Sequence, residues 1–228
     1  MASVVAIMMV SPPDPRIKSQ LASRIGADEG RRDLALAMLD DIIEHCDRLP
    51  GVLTRIAVTQ PAEGLRMHRP SLPGTLCLAQ RGASVADRLR HIFTDLAAAG
   101  FTSTLLVCAS VPDLPLTHFE QALGWVDDDR GTLVIGPSGA GGCYAIGLAV
   151  QPGAVPDLFT AVRWGSPHEL DDVARAGAEL GLSVKYLPAW RAVEGPDDLS
   201  FVAARLRRAP HTAPKTAAVL KRLLNSEF

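Results

Sequence analysis

The stretch TLVIGPSGAGGCYAIGL, residues 132–148, decides the architecture of this chain. It reads as a buried strand that runs into a glycine-rich turn and straight on into a second strand. Gly139, Gly141 and Gly142 permit positive φ and remove side chains that would hold a phosphate or sugar away from main-chain N–H groups. No acidic side chain lies between Ser138 and Leu148. A hairpin at this point also breaks any strict alternation of strand and helix, so the sheet that holds it is expected to be mixed.

Outward from the hairpin, apolar runs of strand length recur at 4–10, 52–58, 104–109 and 183–187. Between them lie helical patterns. Leu34, Met38, Leu39, Ile42 and Ile43 share one stripe, and Val85, Leu89, Ile92, Phe93 and Leu96 share another. Further helices are expected from Pro115, over 168–180 and over 196–208, with a basic terminal helix from about residue 213. Strands that are apolar throughout, alternating with helices, predict an α/β fold with a mostly parallel sheet, Rossmann-like and covered on both faces.

At 228 residues the chain is within reach of one α/β domain spanning 1–228. With 25 acidic against 23 basic side chains, nothing points to a nucleic-acid or membrane-surface binder. Any anionic ligand must therefore be met locally. The 4 cysteines lack zinc spacing and read as reduced packing residues of a cytoplasmic protein. SVVAIMMV has no basic flank and precedes SPPDP, so it reads as a first core strand, neither a signal peptide nor a membrane span.

Ligands of open α/β sheets bind beyond the carboxyl ends of the strands, so the loops after Val10, Ala109 and Ile135 carry the candidate site. Arg16 and Lys18 in the first loop could clamp a diphosphate or decorate a solvated rim. Ser110 and Asp113 stand at the end of the central strand before a proline-initiated helix, where Asp113 suits either a ligand role or a helix cap. His168 begins a helix and is either a base or a surface residue. Tyr144 and Trp164 could stack on a ring or pack in the core. Cys143 reads as an inert thiol in an apolar strand.

In this order, PDPRIKSQL, QRGASVADRLRHIF, LLVCASVPDLP, VIGPSGAGGCYAIGL, LFTAVRWGSPHEL and AVEGPDDL resemble the bacterial glycosyltransferase-A-like family, a domain of unknown function in the nucleotide-diphospho-sugar transferase superfamily. A more distant likeness is to the guanylyltransferase that activates phospholactate. The resemblance implies that fold, a nucleotide or nucleotide-sugar ligand, and a site drawing on Arg16, Lys18, Asp87, Arg88, Ser110, Asp113, the glycine turn and Glu194.

The chain departs from the family pattern where charge is expected. Ala109 and Ser110 replace Ser-Asp, Ala140 replaces the Asp before Gly141 and Gly142, and Ser84 replaces an Asp. The late Asp-Val-Asp element is Ala192, Val193 and Glu194, and Val10 and Gln20 stand where basic residues are usual. Enzymes of this kind neutralise a diphosphate with Mg²⁺ or Mn²⁺ held by carboxylates. Here no metal ligand set is expected and any divalent ion should bind weakly. Two function classes remain open: a metal-independent transferase, including a nucleotidyltransferase-like enzyme, with Asp113 or Glu194 as base, and a non-catalytic scaffold or partner subunit. Homo-oligomerisation also remains open.

Overall fold

The computed structural model describes residues 2–8, 28–58 and 77–224. Its strands are β1 (Ser3–Met8), β2 (Val52–Val58), β3 (Cys77–Ala79), β4 (Ser103–Cys108), β5 (Thr132–Pro137), β6 (Cys143–Ala149) and β7 (Ser183–Tyr186). The helices are α1 (Asp28–Cys46), α2 (Val85–Ala98), α3 (Leu116–Asp128), α4 (Glu169–Glu179), α5 (Pro196–Arg208) and α6 (Pro214–Leu224). A 3₁₀ turn, Gly139–Gly141, joins β5 to β6.

The sheet has 7 strands in the order β3-β2-β1-β4-β6-β5-β7. β1 pairs in parallel with β2 and β4, and β3 and β7 extend the sheet in parallel at its two edges. Only β6 runs against its neighbours, because the short glycine turn reverses the chain beside β5 and inserts β6 next to β4. This is the mixed α/β sheet that the hairpin predicts.

The apolar runs are continuous because both sheet faces are covered. Val5 and Ile7 of β1 join Leu39 and Ile42 of α1 and Phe119 and Leu123 of α3. Val4, Ala6 and Met8 point the other way, toward Leu89, Phe93 and Leu96 of α2 and Val173 of α4. Burying each such large side chain contributes about 1.5–3 kcal/mol, so these two layers dominate the stability of the sheet. A third cluster packs Leu199, Val202 and Leu206 of α5 and Leu220 of α6 on Leu34 and Met38 of α1. Asp41, itself buried, accepts the Lys215 and Thr216 N–H groups (3.1 and 2.7 Å), capping α6 from α1. The short edge strand β3 is not legible in the apolar runs.

Candidate functional site

The carboxyl ends of β4 and β5 and the start of β6 meet at one end of the sheet, where the segment after β7 crosses them. Its path is fixed by main-chain bonds. Leu187 N–H donates to Ile135 O (2.9 Å), Trp190 N–H to Pro137 O (3.0 Å) and Val193 N–H to Ser110 O (2.9 Å). Residues 190–194 are thereby laid across the strand ends between Ser110 and the glycine turn.

The glycines of the turn are accounted for largely by neighbours inside the protein. Gly141 has φ +83, and a Cβ there would stand 2.2 Å from Pro167 O. A Cβ on Gly142 would meet Ser138 Oγ at 2.7 Å, with Glu169 Oε1 at 3.7 Å and Glu194 Oε1 at 3.9 Å. Gly139 gives room to Arg191, whose Nε would lie 3.6 Å from a Cβ. The turn is thus held between the loop before α4 and the segment before α5.

Glu169, which the sequence reading passed over in favour of His168, joins the two sides. Its Oε1 accepts the Cys143 N–H (2.9 Å) and its Oε2 the Gly165 N–H (2.8 Å). Burial raises the proton affinity of Glu169 despite those two bonds. Glu194 is solvent-exposed along part of its surface, yet its carboxyl turns toward Ser138, which hydrogen-bonds it. Desolvation, then the charges of Asp198 and Glu169, push its pKa up to about 7. Water on its open side screens part of that repulsion, and the upward direction follows first from loss of hydration and then from the neighbouring carboxylates. The nearby Cys108 thiol is pushed up to about 12 and the Cys143 thiol higher, chiefly by burial, so neither supplies a thiolate.

Asp113 lies at this end of the sheet but is committed elsewhere. It is buried, accepts Trp190 Nε1–H (3.2 Å) and forms a two-pronged ion pair with Arg205, whose Nη2 lies 2.5 Å from Oδ1. The Arg205 guanidinium stacks 4.5 Å above the Trp190 ring. With both oxygens engaged, Asp113 anchors α5 and the crossing segment. Its charge is matched by Arg205, and it caps no helix, since α3 starts at Pro115 without a side-chain cap. The sequence gives no local sign of this partnership, because Arg205 lies 92 residues further on.

Several other candidates are placed differently from their sequence reading. Tyr144 is fully buried and donates to Pro188 O (3.0 Å) beneath Gly136, so it cannot stack on a ligand. Trp164 donates to Phe159 O (3.0 Å) and packs on the α2/α4 layer. Asp87 completes a capping box with Ser84 and pairs with Arg90, and Arg88 donates to Gly82 O; all lie by β3, at the sheet edge away from β6. Ser84, where an acid is usual, therefore serves as a helix cap. His168 is exposed at the start of α4. Arg16 and Lys18 lie outside the described residues.

Among the described residues the donor set does not fit a divalent ion held by several carboxylates. Ser110 and Ala192 offer none, Asp113 is bound by Arg205, and Glu169 spends one oxygen on each of two main-chain N–H groups. Glu194 remains. Among the described residues no group of three or more His, Cys, Asp or Glu side chains is arranged to hold a metal ion. No described helix is long and apolar enough to cross a membrane. An open groove of about 540 Å³ between α5 and α6, lined by Leu206, His211 and Lys221 among others, shares no residue with this site.

Residues 42–166 match a family described as "uncharacterized protein conserved in bacteria (DUF2064)", and the chain belongs to that family. It superposes on a Desulfovibrio desulfuricans G20 protein described as a "putative nucleotide-diphospho-sugar transferase", with a TM-score of 0.82 at 23% identity over 97% of this chain and 95% of that one. It is also similar to CMP:2-keto-3-deoxy-manno-octonic acid synthetase complexed with CTP (TM-score 0.53, 11% identity, 90% and 99% covered). A cytidylyltransferase from Leptospira borgpetersenii gives 0.55 at 9% identity, with 98% and 97% covered. Identities this low show a shared nucleotide-diphospho-sugar transferase fold. No curated protein matches by sequence.

Proposed function

We propose that this chain binds a nucleotide or nucleotide-sugar type ligand across the ends of β4, β5 and β6 without a structural need for a divalent ion, and that Glu194 is its acid–base group. The observation that carries this reading is the Glu194 carboxyl, held by Ser138 beside the glycine turn and facing Glu169, with its proton affinity raised toward neutrality. A base is most effective when its pKa lies near the working pH. In group transfer, the Glu194 carboxylate would take the proton of an acceptor hydroxyl as that oxygen bonds to the transferred group, while the bond from that group to the donor's phosphate or diphosphate breaks and the phosphate leaves with the electron pair. Glu169 would act through position, fixing the turn by its bonds to Cys143 and Gly165. The CTP-bound relative and the shared fold support the choice of ligand class.

A second reading, a non-catalytic ligand-binding scaffold, draws on Asp113. The acid after the central strand is locked against Arg205, and Ser110 beside it is uncharged. One experiment separates the two. Nucleotides and nucleotide sugars are screened by calorimetry with chelator, with Mg²⁺ and with Mn²⁺, and turnover of any binder is compared with that of Glu194→Gln. Binding with turnover lost in the variant supports the enzyme; binding without turnover in the parent protein supports the scaffold. Absence of binding throughout the screen contradicts both.

A further inference from the structure

We infer that Arg191 is the cationic contact of this crevice, meeting a phosphate or diphosphate group of the ligand at the place where a metal-dependent site would use a divalent ion. The inference rests on the nucleotide-type reading above and names the residue that would recognise the anion. Among the described segments at these strand ends, 108–113, 137–143 and 190–195, Arg191 is the sole lysine or arginine.

Its side chain is held in place. The guanidinium lies 4.6 Å over the Phe201 ring on one side, and on the other the stem and Nε rest on the bare face of Gly139. Stacking on an aromatic face fixes the plane of an arginine and reduces the rotamer freedom lost when an anion is bound. Phe201 itself is 48% exposed and also lies 5.5 Å from the Arg205 guanidinium. Among the described residues the ion-pair partner of Arg191 is Asp198, with Nε 3.3 Å from Oδ1. That separation exceeds the usual 2.7–2.9 Å of a charge-assisted bond, so the pair is loose. The side chain remains 41% exposed at the edge of the turn.

The surrounding acids give the contact a pH signature. Glu194 follows Arg191 closely and is faced by Asp198 of α5, Glu169 of α4, Ser138 of the turn, and the thiols of Cys108 on β4 and Cys143 on β6. An anion arriving at Arg191 adds negative charge beside Glu194 and favours its protonated form. A bound anion therefore raises the proton affinity of Glu194 further, and its carboxylate serves as base at a higher pH in the complex than its value in the free protein implies. A purely structural Arg191 would produce no such coupling.

The test uses inorganic pyrophosphate and CTP as probes, titrated calorimetrically in chelator at pH 6 and pH 8. The parent protein should bind both probes. Arg191→Gln should weaken pyrophosphate at least about tenfold, the size of one lost charge-assisted contact. Arg191→Lys keeps the charge without the planar fork and should retain part of the affinity, which also decides the matter if Arg191→Gln does not fold. Because pyrophosphate itself takes up a proton between pH 6 and pH 8, the coupling is read by difference: lowering the pH should favour binding to the parent protein more than binding to Glu194→Gln. Undiminished pyrophosphate and CTP affinity in Arg191→Gln, or in Arg191→Lys where the glutamine variant is unfolded, overturns the role of Arg191 and leaves the nucleotide reading standing. A parent protein that binds neither probe overturns both together.

Discussion

Replacing Asp113 by asparagine tests whether the acid at the end of the central strand is an anchor or a reagent. Asp113 is 4% exposed and its carboxylate accepts from both Arg205 and Trp190, while the Arg205 side chain is 22% exposed. Asparagine keeps the shape but removes the charge, and one of its polar atoms becomes a donor facing a guanidinium. Breaking a buried pair on one side costs about 3–5 kcal/mol, and the open edge of Arg205 admits water, which places this case near the lower end, about 3 kcal/mol. For a chain of this length, a loss of that size lowers Tm by roughly 6–12 °C. Urea unfolding followed by tryptophan fluorescence and by circular dichroism reads the change directly. Combining Asp113→Asn with Arg205→Met should recover part of the loss, because the stranded charge is then gone. A variant within about 0.5 kcal/mol of the parent, with unchanged unfolding slope, would refute the anchor assignment.

Three other perturbations address the turn and its acids. Gly141→Ala should cost about 2 kcal/mol or more, since it combines φ +83 with a Cβ 2.2 Å from Pro167 O; an unchanged urea midpoint would show that the turn relaxes freely. For Glu194 the folded pKa is raised from the ordinary 4.5 to about 7, so the ionised form is the one the fold disfavours. Its contribution is therefore most favourable at low pH and is lost as pH rises between those values. Glu194→Gln should gain stability relative to the parent across that window, and a difference that stays flat from pH 4.5 to 8 would contradict the crowding of Glu194 by Glu169 and Asp198. Cys108 and Cys143 should react with an aromatic disulfide reagent at pH 8 only on unfolding, and rapid modification of either in the native protein would place them nearer solvent than their raised thiol pKa values imply.

Much of the scaffold is legible in the sequence because it follows from burial on two sides. The run Val52–Val58 and the helix Pro196–Arg208 are read with their observed ends, since each is bounded by local punctuation: Gly51 before the strand and Pro196 at the start of the helix. β3 escapes because three residues carry no period. The site is less legible. Asp113 reads as a free acid because its partners, Trp190 and Arg205, are brought to it only by the fold. Tyr144 reads as a stacking ring beside a glycine turn, whereas Gly136 on the neighbouring strand makes the space that buries it, with a Cβ there 2.5 Å from the ring. That cross-strand pairing of glycine and aromatic was the available signal. Glu169 lies inside the LFTAVRWGSPHEL segment beside His168, and Arg191 directly precedes AVEGPDDL; neither residue type stands out there without the partners that the fold brings. Gly141, which reads from sequence as room for a ligand, instead makes room for Pro167.

The central claim, a nucleotide-type crevice whose charge is balanced by protein side chains in place of a divalent ion, is tested most directly by titrating CTP into the parent protein in excess chelator and again in excess Mg²⁺ or Mn²⁺. The account predicts saturable binding in chelator, with an affinity that changes less than about tenfold when metal is added. Binding that appears only with Mg²⁺ or Mn²⁺ would contradict it, and would mean that Glu194 recruits the ion even though Asp113 and Glu169 are already bound within the protein.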